Sequence, residues 1–113
     1  MPFSVMIAAD QQNLIQSVCS ILRLLSLSCA ITLTTNAAEK VGEYLREQEP
    51  NLLILGFSKS SARSVIHEAR ERRPGMRVLW IGETDEQLPE ADASMPQPLT
   101  ALRLIDTVMK LLK

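Results

Sequence analysis

A chain of 113 residues, 46% of them hydrophobic and 22% charged, has room for one domain with a core of its own and not for two. Twelve Lys/Arg against thirteen Asp/Glu leave a formal charge of −1, which excludes a disordered or collagen-like chain and a generally basic nucleic-acid binder. Cys19 and Cys29 fit neither a zinc-ligand spacing nor a disulfide framework, and each lies among apolar neighbours where a thiol packs as a small hydrophobe. Read as reduced thiols, they place the protein in the cytoplasm. Apolar stretches broken by Arg23, Ser26, Ser28 or Lys110, with no basic region ahead of a hydrophobic one, predict neither export nor a membrane span.

The unbroken apolar run Phe3–Ala9 predicts a strand buried on both faces. Leu14, Val18, Ile21, Leu22 and Leu25 then recur at helical spacing, predicting a helix over 11–25 with Asp10 as its cap. Cys29–Thr35 is β-branched and alternating, a second strand; residues 37–47 place Ala38, Val41 and Leu45 on one helical face. Pro50 ends that helix, and Leu52, Leu53, Ile54 and Leu55, closed by Gly56, form the clearest buried-strand pattern in the chain. Ala62, Val65, Ile66 and Ala69 mark a third helix stopped by Pro74 and Gly75, and Val78 to Ile81 a fourth strand. Residues 83–92 carry five acids, no base and Pro89, so they read as loop. Ala93, Ser94 and Met95 make a short fifth strand, and Thr100 caps a last helix over 101–112.

Strands alternating with helices through short connections imply an α/β domain: a doubly wound, five-stranded parallel sheet covered on both faces. Ligand and chemical sites of such sheets lie outside the carboxyl ends of the strands. That directs attention to Ala9 and Asp10, to residues 56–59, to Gly82 and Glu83, and to residues 96–98.

At those positions the chain resembles the receiver domain of bacterial response regulators, of flavodoxin-like fold. The stretches that carry the resemblance are VMIAAD, CAITLTTNAAEKVGEYLREQEPNLLIL and RVLWIGE. It spans nearly the whole chain, residues 1–113 as one domain, and implies strand order 2-1-3-4-5. A receiver accepts a phosphoryl group on an aspartate ending strand three, with magnesium held by it and by an acidic pair ending strand one. A Ser/Thr after strand four and a Lys-Pro step after strand five complete the switch. Here the acidic pair is Ala9 and Asp10, the acceptor position is Gly56, the hydroxyl position Gly82, and the lysine Gln97, followed by the retained Pro98. Of the five chemical positions only Asp10 keeps its character.

The resemblance therefore implies a degenerate receiver with no catalytic residue, metal or cofactor, because one carboxylate is a poor magnesium site. Such a domain signals by contact with a protein partner or a second copy of itself, independently of phosphorylation. The alternative is a small-ligand sensor using the pocket emptied by Gly56 and Gly82 near Asp10 and Ser58. Only fourteen residues separate Gly82 from Gln97, too few for a full helix and a strand, so the fourth helix is expected to be shortened or absent.

Two surface features remain. Residues 59–77 hold six cations against two acids, and residues 83–92 hold five acids; this segregation reads either as a basic patch for an acidic partner or as ordinary solvated faces. No aromatic platform accompanies the arginines, so nucleic-acid binding is not expected. His67 has no partner at motif spacing and reads as a solvated helix residue. The apolar arc of the last helix is broader than a core-facing stripe requires, with Leu104 and Leu111 on one flank and Leu102 and Met109 on the other. These four residues are an interface candidate, unless the helix tilts into the space of the missing one and buries both flanks.

Overall fold

The computed structural model describes residues 3–25, 29–84 and 86–112. Five parallel strands, β1 (Phe3–Ala9), β2 (Cys29–Thr35), β3 (Leu52–Gly56), β4 (Arg77–Gly82) and β5 (Ala93–Pro96), form one sheet in the order β2-β1-β3-β4-β5. Four helices connect or follow them: α1 (Gln12–Leu22), α2 (Val41–Glu47), α3 (Lys59–Arg72) and α4 (Ala101–Leu111). A 3-10 turn, Arg23–Leu25, extends α1, and another, Ala38–Lys40, leads into α2, so the helix predicted over 37–47 starts as the tighter form.

Each central strand feeds two cores because successive side chains point to opposite faces. Val5, Ile7, Leu52, Ile54, Leu79, Ile81 and Met95 pack beneath α1 and α4, meeting Leu14, Val18, Leu104 and Val108. Met6, Ala8, Leu53, Leu55, Val78 and Trp80 pack beneath α2 and α3, meeting Val41, Leu45, Ala62, Ile66 and Ala69. Every residue of β3 is buried, as its four consecutive aliphatics require.

The edge strand β2 slips by one residue against β1 at Val5/Met6, where Thr32 has no partner in the register and its hydroxyl donates to the Val5 carbonyl at 3.3 Å. Such a bulge bends an exposed edge away from further strand pairing. Thr100 caps α4 as its sequence predicts, its hydroxyl accepting the Arg103 amide hydrogen.

No helix occurs among the described residues between β4 and β5. The wall of the sheet is nevertheless covered: Leu88, 2% exposed, drops from the loop into the core under α3, and its amide donates to Ser94 Oγ. One buried leucine does there what a helical face would do, contributing about 1.5–3 kcal/mol. None of the described helices is long and apolar enough to cross a membrane.

Candidate functional site

A cleft of about 260 Å³ opens at the carboxyl ends of the strands, with Asp10, Gly56, Ser58, Lys59, Trp80 and Gln97 among its lining residues. Topology brings these together: β1, β3, β4 and β5 all end at this rim. The fold therefore gathers five of the six sequence-selected positions, Ala9, Asp10, Gly56, Gly82 and Gln97, around one spot. Gln97 is tied to it by its amide, which donates to the Gly82 carbonyl at 3.1 Å. The sixth, Pro98, lies a step further out, in the groove between α1 and the start of α4.

Gly56 and Gly82 do not leave the space that the sensor alternative requires. A Cβ on Gly56 would overlap Leu14 Cδ2 and stand 2.8 Å from the Ala9 Cβ, so the first residues of α1 close over the end of β3. A Cβ on Gly82 would stand 2.7 Å from Trp80 Cη2. The indole has folded over the glycine two residues ahead of it on the same face, and its N–H donates to the Phe57 carbonyl at 3.0 Å. Leu14 and Trp80 thus fill what the two glycines free. Helical spacing puts Leu14 in the core, and nothing local in the sequence links it to Gly56. The Trp-x-Gly spacing at 80–82 was the available signal for the second closure, since residues i and i+2 of a strand share a face.

Asp10 is exposed and does not cap α1: the cap position is Gln11, in extended conformation and without a side-chain cap bond. The Gln11 carbonyl accepts from the amides of Leu14 and Ile15, so the first turn is held by backbone and not by the predicted carboxylate. Among the described residues no three His, Cys, Asp or Glu side chains gather as a metal-binding group. Among the described residues the acids that line this cleft are Asp10, Glu83 and Glu86, with Lys59 standing 3.6 Å from Glu86, and alanine and glycine occupy the two other positions that the resemblance assigns to carboxylates, a poor set of ligands for magnesium. His67 lies far down α3, 82% exposed, 3.3 Å from Glu71.

The two charge blocks meet each other. Along α3, from the rim to the start of β4, Lys59 faces Glu86 at 3.6 Å, Arg63 binds Glu90 at 2.7 Å, and Arg70 binds Asp92 at 2.9 Å. Arg70 also donates to the carbonyls of Met76 and Glu90, stitching α3 to both ends of the β4–β5 segment. The basic face of α3 is thus neither bare nor merely solvated; the acidic loop lies on it.

Of the interface candidates on α4, Leu102 is bare at 81% exposure and Met109 half-buried. Leu104 is fully buried and Leu111 packs against the same core, so this flank belongs to the interior. The helix seats deeper than a single flat contact predicts, because α1 as well as the sheet receives it.

No protein-family model matches this chain, and no curated protein matches it by sequence. Solved structures do. The REC domain of AraT, a response regulator from Geobacillus stearothermophilus, superimposes with a TM-score of 0.86 at 19% identity, over 99% of this chain and 94% of that one. The signal receiver domain of NarL from Mycobacterium tuberculosis gives 0.81 at 19% identity, over 98% and 96%. This is the receiver fold of response regulators. The pilus assembly protein CpaE from Caulobacter crescentus shares it, with a TM-score of 0.77 at 16% identity over 96% of this chain and 98% of that one. The likeness is one of architecture.

Proposed function

We propose that this chain is a receiver-fold signalling module of two-component type that works in the cytoplasm by protein contact and takes no phosphoryl group at the end of β3. The observation that carries this reading is Gly56, where the volume of even a methyl group is already claimed by Leu14 and Ala9. A site without a nucleophile transfers nothing, and a scaffold that keeps its fold while the end of β3 is filled retains its surfaces as the means of action. The exposed end of the α4 arc, Leu102 with Met109, is one such surface, open to a second copy or to another protein.

Incubation with acetyl phosphate and magnesium, followed by intact mass measurement, tests the reading. An unmodified chain is expected; a stoichiometric phosphoryl increment overturns it. The ligand-sensing alternative has less support, because a cleft of about 260 Å³ is smaller than the roughly 300–1,000 Å³ of most small-molecule sites. A thermal-shift panel of metabolites separates the two, since a ligand that binds only the folded chain raises its melting temperature.

A further inference from the structure

The segment 86–92 has no helix or strand of its own, and its hold on the domain is of two kinds. Glu86, Glu90 and Asp92 face Lys59, Arg63 and Arg70, and between the first two acids Leu88 is inserted in the core. The three cations lie at positions i, i+4 and i+11 of α3, which is one side of the helix. Their partners alternate with the plug: acid at 86, leucine at 88, acids at 90 and 92. The pairs at Lys59 and Arg63 are solvent-exposed, with side-chain exposures between 38% and 57%. Pairs so placed are screened by salt, and a segment with few backbone bonds opens before the sheet does.

We infer that residues 86–92 are an internal occupant of a docking face on α3, displaced by an acidic segment of a partner protein that carries an aliphatic residue between its acids. Opening the segment leaves Lys59, Arg63 and Arg70 unpaired beside the slot that Leu88 fills. Charge complementarity selects what enters: a negative segment with one apolar anchor, the chemistry already in place. The basic-patch reading of the sequence is thereby recovered in a conditional form, since the patch exists only when its own loop leaves it. The inference rests on the contact-signalling reading above and supplies that reading with a surface and a partner chemistry.

Two measurements on the full chain test it. In hydrogen exchange, the amides of Leu88 and Ala91, bonded to Ser94 Oγ and the Leu88 carbonyl, are expected to exchange about ten-fold faster in about 0.5 M NaCl than at low salt. The amides of β3 and β4 are expected not to change. The second is an NMR titration with a synthetic peptide of residues 84–93. In Glu86→Gln/Glu90→Gln, and in Leu88→Ala as a second loosened variant, the peptide is expected to shift the signals of Lys59, Arg63 and Arg70 at low salt. Binding to the unaltered chain is expected to be at least about ten-fold weaker, because its own segment competes at high effective concentration. Salt-insensitive loop protection equal to that of β4 overturns the inference, as does a peptide that leaves α3 unshifted in both variants. Mass measurement after acetyl phosphate treatment is independent of both readouts, so failure here and failure of the contact-signalling reading are told apart.

Discussion

Asp92 and Val78 exchange two hydrogen bonds: the Val78 amide donates to Asp92 Oδ2 at 2.7 Å, and the Asp92 amide donates to the Val78 carbonyl at 2.9 Å. The same carboxylate oxygen accepts from Arg70 Nη2. One acid thus fastens the start of β4, the end of α3 and the entry to β5.

Asp92→Ala is expected to cost about 2 kcal/mol, since it leaves the partly buried Val78 amide without its acceptor and Arg70 without its counter-charge. Asp92→Asn keeps an acceptor and loses only the ion pair, about 1 kcal/mol or less. Urea denaturation of the two variants measures the difference; equal losses would contradict the role given to the amide bond.

Gly56→Asp, which puts a carboxylate at the position the resemblance assigns to the phosphoacceptor, is expected to destabilise the chain by about 1–3 kcal/mol through overpacking and to leave it unphosphorylated by acetyl phosphate. Leu14→Ala costs stability alone but should cost less beside Gly56→Asp, a coupling of about 1 kcal/mol in a double-mutant cycle. Strict additivity would show that Leu14 does not close the site.

Burial pushes the thiols of Cys19 and Cys29 above their ordinary value, with Arg23 pulling Cys19 part of the way back. A raised folded-state value means that the unfolded chain releases its protons first. The thiols' contribution is therefore fully present below about pH 8.5 and is lost as pH rises through the folded values. Cys19→Ala/Cys29→Ala should flatten the stability profile on the alkaline side, and a thiol reagent should modify the buried Cys29 more slowly than Cys19. Faster reaction at Cys29 would contradict its packing.

Leu102→Glu is expected to leave stability within about 0.5 kcal/mol, whereas Leu104→Glu should prevent folding. Light scattering then reads association. If copies pair through α4, Leu102→Glu shifts the chain to monomer, and a dimer indifferent to that change places the contact elsewhere.

Much of this architecture is legible in the amino-acid order because strands buried on both faces must be short, unbroken aliphatic runs. Leu52 to Leu55 and Val78 to Ile81 could hardly be anything else. Thr100 was identifiable as a cap from its place before an amphipathic run. Asp10 had the same credentials, yet its helix starts a residue later than local preference suggests. Leu104 misled for a geometric reason: a helical projection assumes one packing neighbour, and α4 has two. What no local pattern reveals is distance across the fold. The blocks of charge at 59–77 and 83–92 were plain as blocks, but their mutual pairing needs the crossover that lays one on the other. Leu14 over Gly56 and Trp80 over Gly82 likewise join residues whose individual roles were visible and whose meeting was not.

The closure at Gly56 also bears on how such a domain can change over time. With a leucine and an alanine set against that glycine, any larger side chain there meets them before it meets solvent. Leu14 can turn its side chain aside, whereas the Ala9 Cβ is fixed to its strand and cannot. New behaviour is therefore more readily gained on the outside of the domain, where a side chain can change without displacing a neighbour, than at the end of β3.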